Sequence, residues 1–164
     1  NRAVLEIRNI ESRDMAEALV MNNQAVPAVN LHDVESFGAL VAMADQTWVV
    51  DDAGQLGGLL VTFAPGAAYE SRNYAWLAER YDNFGYVDRI IVADTHRRRG
   101  LAGRLYDTFA QHAGDCGKDR LVCEVNIEPP NPVSVAFHRA NGWNGIDDLE
   151  HGPGKVVRFF ERAL

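Results

Sequence analysis

The residues with the clearest chemical character lie at positions 96–105, which read HRRRGLAGRL. Three consecutive arginines carry like charges, and a glycine in the first turn of a helix costs roughly 0.5–1 kcal/mol relative to alanine. A helix that begins directly after a strand presents unpaired backbone N–H groups and a partial positive charge. Phosphates bind at such a helix start, where glycine lets an oxygen approach the backbone. The stretch therefore predicts a diphosphate site, and the alternative is a solvated arginine turn before a core helix.

The elements that must position this stretch alternate between strands and helices. Residues 84–93 form the strongest predicted strand because β-branched and aromatic residues dominate it. The helix after the arginines carries Leu101, Leu105 and Phe109 at i, i+4 and i+8, which predicts one buried stripe. Gly114 and the following DCGKD end this helix. Residues 84–126 therefore form a strand–helix–strand unit whose strands should pair in parallel.

The rest of the chain fits around this unit. The other predicted strands are 4–10, 47–52, 56–63, 120–125 and 156–164, and the other predicted helices are 12–22, 33–43, 71–80 and one that begins at Pro132. Ser12 is the expected N-cap of the first helix, and a tight turn with Gly54 joins the second and third strands. We expect an α/β fold with a mixed central sheet of about six to seven strands and flanking helices, in a single domain covering residues 1–164.

Composition narrows the class of partner. The net charge of −7 and the pI of about 5.1 argue against a nucleic-acid binder, which needs a broad basic face. No apolar run reaches the ~18 residues of a membrane span, and the N-terminal residues show no signal peptide. Cys116 and Cys123 fit no CxxC motif, so we expect reduced thiols and a cytoplasmic protein. No His or carboxylate cluster at ligand spacing suggests a metal.

Two motifs in this chain resemble those of the GNAT superfamily of acyl-CoA-dependent N-acetyltransferases. Residues 97–102, RRRGLA, resemble the Q/R-x-x-G-x-G/A pyrophosphate loop, although they match neither the P-loop nor GxGxxG. Residues 131–143, NPVSVAFHRANGW, resemble the second motif, in which Asn opens a helix and Gly-aromatic closes it. The motifs occur in the right order, and the order of elements also fits over nearly the whole chain.

The resemblance implies a site for acetyl-CoA, used as a co-substrate without a metal. The strand end at residues 91–93 should pair with the pantetheine arm at the point where the parallel strands splay. The backbone N–H groups of the loop at residues 97–103 should hold the pyrophosphate. The guanidinium groups of Arg98 and Arg99 are candidates for the adenosine phosphates, and Asn131 either contacts pantetheine or simply caps its helix. The implied contacts are Ile91, Val92, Ala93, Arg97, Arg98, Arg99, Gly100, Leu101, Ala102, Gly103, Arg104, Asn131 and Ser134.

The resemblance also implies the reaction, which is direct attack of a primary amine on the thioester in a ternary complex. The leaving thiolate needs a proton, and the family usually has Tyr for this role where this chain has His138. Val133, Ala136 and Phe137 share a predicted apolar face, so His138 is expected to project away from the core. We consider His138 as the general acid, as a ligand contact, or as a histidine without a role.

Two carboxylates are candidates for the base. Asp88 and Glu124 each interrupt an apolar strand, which is costly unless the charge is paired or functional. Asp88 shares a strand face with Val92, and Arg89 is its alternative partner. Either carboxylate would serve as base, water ligand or amine ligand, and a water chain without a single base stays open. Cys123 is expected to be an ordinary buried cysteine and not an acyl-enzyme nucleophile.

The acceptor is a small-molecule or peptide amine that the sequence does not identify. Residues 65–84 form an insertion rich in Tyr and Trp, in which Tyr69, Tyr74 and Trp76 are candidates for binding a cationic amine. The alternative is that this insertion only packs as an amphipathic helix. A rival function is a sensor that binds acyl-CoA without turnover. A homodimer is a further hypothesis, because the terminal strand offers an apolar edge.

Overall fold

Seven strands form one mixed sheet in the part of the chain that the computed structural model describes, residues 4–164. The strands are β1 (Leu5–Asn9), β2 (Gln46–Asp52), β3 (Gln55–Phe63), β4 (Gly85–Val92), β5 (Arg120–Glu128), β6 (Asn144–Glu150) and β7 (Val156–Ala163). Their order in the sheet is β1-β2-β3-β4-β5-β7-β6. β4 and β5 are parallel, whereas β1–β2, β2–β3, β5–β7 and β6–β7 are antiparallel. The expected α/β class with a mixed sheet is confirmed.

Some of the helices begin at a short polar residue whose side chain accepts a hydrogen bond from a first-turn N–H group. The helices are α1 (Met15–Gln24), α2 (Val34–Met43), α3 (Arg72–Arg80), α4 (Leu101–Asp115) and α5 (Pro132–Ala140). The Asp33 carboxylate accepts from the Ser36 N–H at 2.7 Å, and the Ser71 hydroxyl accepts from the Tyr74 N–H at 3.2 Å. Each cap satisfies a donor that the helix itself leaves unpaired.

The strands and helices distribute over two compact units. The first comprises residues 4–68 and Asp88–Phe109, and the second comprises Tyr69–Val87 and Ala110–Leu164. β4 therefore contributes its first three residues to the second unit and the rest to the first.

The core of the first unit lies between α4 and the β2–β3 hairpin. Ala53 and Gly54 make the hairpin turn with φ of +52° and +94°, as the glycine predicted. Leu101, Leu105 and Phe109 are 2%, 0% and 1% exposed, which confirms the predicted stripe of α4. α1 packs against β3 and α2.

The core of the second unit surrounds β5 and β7. The parallel register pairs Gly85 with Leu121 and Tyr86 with Val122. Trp143 and Phe160 are fully buried against this part of the sheet. The splaying of β4 and β5 beyond this point stays a prediction.

Several local predictions need correction. Ser12 is not an N-cap but the first residue of a 3-10 turn, because the Glu11 N–H and the Asp14 carboxylate form the cap at 2.8 Å. Gly114 lies inside α4, and the helix ends before Gly117, whose φ is +82°. β6 was not expected as a strand, because its polar residues show no alternation. β7 pairs with β5 on one side and β6 on the other, so the terminal strand offers no free edge for a dimer.

Candidate functional site

In the first unit, the arginine stretch forms the turn between β4 and α4. A 3-10 turn over Asp94–His96 leads into it, and residues 97–100 are exposed. The φ angle is +65° at Arg98 and +71° at Gly100. A β-carbon added to Gly100 or Gly103 would have no atom within 4 Å. The turn therefore presents guanidinium groups and the first N–H groups of α4 at an open surface, which is what a phosphate needs.

A buried histidine anchors this turn to the β2–β3 hairpin. His96 is 3% exposed, and its Nε2 lies 2.8 Å from Asp52 Oδ2, while its Nδ1 lies 2.7 Å from Thr95 Oγ1. The ring packs so closely on Gly57 that an added β-carbon would lie 2.6 Å from His96 Cδ2. Arg99 Nη1 lies 3.6 Å from the same Asp52 oxygen. One carboxylate thus holds both the 3-10 turn and the last arginine.

The backbone at the end of β4 has a defined direction. The Ala93 N–H donates to the Gly57 carbonyl at 2.9 Å, so it points toward β3. Because backbone groups alternate in direction along a strand, the N–H and C=O of Val92 point away from β3. Of residues 91–93, Val92 is therefore the residue whose N–H and C=O could pair with an added extended chain on the side away from β3.

Asp88 forms a buried ion pair with its neighbour. Arg89 Nε donates to Asp88 Oδ2 at 2.7 Å, and both side chains are 5% exposed. Arg89 Nη1 also donates to Asn22 Oδ1 at 2.8 Å, and Asn22 in turn donates to the Asn30 carbonyl at 3.0 Å. The network ties β4 to the segment between α1 and α2. Arg89 is thus the partner that we kept open as the alternative to a functional Asp88, whose role as base stays a prediction.

In the second unit, Glu124 accepts hydrogen bonds from two neutral donors. The Tyr86 hydroxyl lies 2.8 and 2.9 Å from the two carboxylate oxygens, and Asn73 Nδ2 lies 3.0 Å from Oε1. Asn73 Oδ1 is in turn 2.7 Å from His151 Nε2. Both groups are uncharged hydrogen-bond donors, and the carboxylate oxygens are their acceptors.

His138 faces the core of the second unit, which corrects the predicted orientation of α5. It is 5% exposed, whereas Val133, expected on the apolar face, is 80% exposed. The ring lies 5.5 Å from Trp143 and 5.8 Å from Phe160 between centroids. Burial lowers the pKa of His138, and Nδ1 lies 2.7 Å from the Ser134 carbonyl, to which it donates. The bond to the Ser134 carbonyl by itself raises the pKa, but burial has the larger effect and favours the uncharged ring.

The start of α5 is capped by Asn131. Its Oδ1 accepts from the Ser134 N–H at 3.2 Å, and Ser134 Oγ lies 3.4 Å from His138 Nδ1. The capping role, kept open beside a pantetheine contact, is thus present. A groove of about 340 Å³ opens beside this cap, lined by Ile127, Pro130, Asn131, Pro132, Val135, Ala136 and Arg139.

The aromatic residues of the insertion pack within the second unit. Tyr74 is 4% exposed, and its ring lies 5.8 Å from Tyr69 and 5.7 Å from Tyr86. Trp76 stacks on Phe159 at 4.0 Å, and the Arg80 guanidinium carbon lies 3.7 Å from the indole centroid. These contacts are those of the packing alternative, and a role in amine binding stays a prediction for Tyr69, Tyr74 and Trp76.

Cys123 is 2% exposed, and burial raises the pKa of its thiol well above the usual value. A neutral buried thiol is a poor nucleophile.

Among residues 4–164, no group of three or more His, Cys, Asp or Glu side chains is arranged to hold a metal ion. Within the same residues, no helix is both long enough and apolar enough to cross a membrane.

Sequence reasoning missed several residues that support these sites. His96 stands directly before the arginines and Tyr86 shares a strand face with Asp88, so both carried a weak signal. Asp52, Asn73 and His151 carried none, because each meets its partner through tertiary pairing of distant segments.

Comparison with known proteins places this geometry in a family. The profile of the Acetyltransferase (GNAT) family matches residues 30–143. No curated protein matches the chain. Among solved structures, ribosomal-protein-alanine N-acetyltransferase from Brucella melitensis has a TM-score of 0.77 and 20% identity, over 97% of this chain and 99% of its own.

Two further structures share the fold. NAA60 from Arabidopsis thaliana in complex with a bisubstrate analogue has a TM-score of 0.76 and 18% identity, with 98% of each chain covered. The NatC complex bound to Gag peptide and CoA has a TM-score of 0.74 and 13% identity, with 98% of each chain covered. The expectation of an acetyl-CoA-dependent N-acetyltransferase is confirmed, and the chain belongs to the acetyltransferase (GNAT) family.

Proposed function

We propose that this chain transfers an acetyl group from acetyl-CoA to a primary amine of a small molecule or a peptide, by direct attack of the amine in a ternary complex. The observation that carries the proposal is the turn of residues 97–103, where exposed arginines and the first N–H groups of α4 meet at open glycines. The diphosphate of CoA has the charge and size that such a turn binds.

The proposed contacts of the co-substrate begin at the diphosphate and continue along the pantetheine arm. The backbone of residues 97–103 holds the diphosphate, and Arg98, Arg99 and Arg104 supply charge to the phosphates. Val92 offers its outward backbone groups to the pantetheine amides. Asn131 and Ser134 remain candidates for contacts to the same arm.

Glu124 is the base that the contacts favour. The Glu124 carboxylate accepts hydrogen bonds from Tyr86 and Asn73, whereas the Asp88 carboxylate forms an ion pair with Arg89. The ammonium of the acceptor first loses one proton to the base. The amine nitrogen then forms the N–C bond, the C–S bond breaks, and a second proton leaves the nitrogen as the amide forms. The departing thiolate takes up one proton.

The reaction needs no covalent intermediate on the protein. The buried and protonated thiol of Cys123 supports direct attack. His138 as the donor to the thiolate stays a prediction, because burial favours its uncharged form and its Nδ1–H is bonded to a carbonyl.

The class of acceptor is proposed from the named relatives. The Brucella structure is a ribosomal-protein-alanine N-acetyltransferase, and the NatC structure contains a peptide. We therefore propose peptide N-termini as the first acceptors to test, before small-molecule amines. A cytoplasmic location is proposed with them.

The test is a calorimetric titration with acetyl-CoA and CoA, followed by a panel of peptide and small-molecule amines with detection of free CoA thiol. We expect micromolar binding and thiol release with one class of amine. Gly100→Glu should abolish binding, since it places a carboxylate against the phosphates.

Gly66→Glu is the matched control. Gly66 is exposed with φ of +86° and open space around it, so the two variants carry similar backbone strain. Equal CoA binding by both variants would overturn the loop assignment. Binding without thiol release on any amine would replace the transferase by the acyl-CoA sensor.

A further inference from the structure

We propose that Asn73 on α3, held by His151, is a positioning residue for the Glu124 carboxylate. The insertion of residues 65–84 thus supplies a side chain that orients the proposed base. The inference rests on the proposed role of Glu124 as the base. It extends that role to two residues that contact Glu124 directly or through one side chain.

The direction of each hydrogen bond follows from the groups involved. An ionised carboxylate only accepts, so the Asn73 amide must present its NH₂ group to Glu124 at 3.0 Å. The amide oxygen then faces His151 and only accepts, so His151 Nε2 must carry a proton at 2.7 Å. His151 thereby fixes which end of the Asn73 amide faces the carboxylate.

His151 is suited to this constant donor role. Burial and the nearby charges of Arg72 and Lys155 lower its pKa, so the ring is neutral near pH 7. The neutral ring has one N–H, and the bond to Asn73 places it on Nε2. Protonation would add a proton at Nδ1 and keep the same bond.

α3 holds both donors of Glu124 in place. Ser71 caps the helix at the turn that contains Asn73, and Tyr74 and Leu77, which follow Asn73 by one and four residues, are buried at 4% and 0% exposure. The Tyr74 ring contacts the Tyr86 ring at 5.7 Å. The same helix therefore supplies one donor and packs against the other.

Neutral groups contact this carboxylate. Tyr86 from β4 and Asn73 from α3 contact it, and Phe159 is its register partner on β7. The Cys123 thiol on the same strand is neutral. Arg72 and Lys155 act on His151. Removal of either donor should therefore change the proton affinity of Glu124.

The experiment follows the Glu124 carboxyl by carbon NMR as a function of pH in the full chain. Asn73→Ala removes a donor to the charged form, so we expect the Glu124 pKa to rise by about one unit. His151→Phe should raise it less, and His151→Gln, which keeps an N–H donor, should restore the wild-type titration. Asn83→Ala is the matched control, since Asn83 donates to the Gly117 carbonyl.

The acid limb of kcat/KM should move upward with the same variants, by about one pH unit for Asn73→Ala, while the Kd for CoA changes less than about twofold. An unmoved Glu124 titration in Asn73→Ala would overturn the inference whether or not the enzyme turns over. If Asn73→Ala misfolds by circular dichroism, His151→Phe decides in the same way. Absence of thiol release in the wild type would instead overturn the proposed function, and full activity of Glu124→Gln would overturn the role of Glu124 as the base.

Discussion

At the scale of single residues, three buried or half-buried histidines make the folded chain sensitive to mild acid. Burial is the largest cause of the lowered pKa of His32, His138 and His151. Below the ordinary value of 6.5 the unfolded chain binds protons at these rings that the folded chain does not bind. Their contribution to stability is therefore present above that pH and is lost as the pH falls through the folded pKa values.

The free energy of unfolding should thus fall as the pH is lowered from about 7 to about 5. His138→Phe removes one of the three rings, so it should give a shallower fall, although its stability at pH 7 is lower because the bond to the Ser134 carbonyl is lost. Urea titrations at several pH values measure how steeply the free energy of unfolding changes with pH in the wild type and in the variant. Equal slopes in wild type and variant would contradict the assignment of His138 as a neutral buried ring.

At the scale of elements, the sequence pattern of α5 predicts where the helix begins but not which of its sides is buried. Pro132 at its first turn and Asn131 as its cap predicted the start of the helix correctly. Its buried side was predicted wrongly, because Val133 and Ala136 are apolar but small, and the larger His138 ring packs better against Trp143. In α5 the local sequence was sufficient to predict the start of the helix, whereas its buried side depends on the shape of residues supplied by distant strands.

The turn before α4 depends in the same way on a distant hairpin. Gly57→Ala should displace the His96 ring, because a β-carbon would lie 2.6 Å from Cδ2. We expect a loss of about 1–3 kcal/mol of stability from this overpacking, and a weaker Kd for CoA at unchanged kcat. Urea unfolding and calorimetry measure the two effects.

Gly38→Ala on α2 is the control, since its added β-carbon meets no atom within 4 Å. It should be stabilising by about 0.5–1 kcal/mol and leave CoA affinity unchanged. Wild-type CoA affinity in Gly57→Ala would show that the hairpin does not hold the turn.

At the scale of the whole molecule, the order of elements was largely predictable because strong strands alternate with capped helices. The two units and the position of β7 between β5 and β6 were not predictable, since both follow from long-range pairing. We propose that the units behave as the single domain expected from the sequence, because β4 runs through both.

One unfolding transition is therefore expected. Trp48 lies in the first unit and Trp143 in the second, and both are at most 5% exposed. Variants that keep either Trp48 or Trp143 and in which Trp76 is also replaced should give urea midpoints by fluorescence that coincide with each other and with circular dichroism. Separate midpoints would indicate two domains.

The two cysteines differ in a way that makes the chain convenient for spectroscopy. Cys116 is exposed in the turn after α4, whereas Cys123 is buried with a raised thiol pKa. Because maleimides react with accessible thiolates, a native preparation carries one attachment point for a fluorophore or spin label without prior mutagenesis. Incorporation of a second label would then report opening of β5 itself.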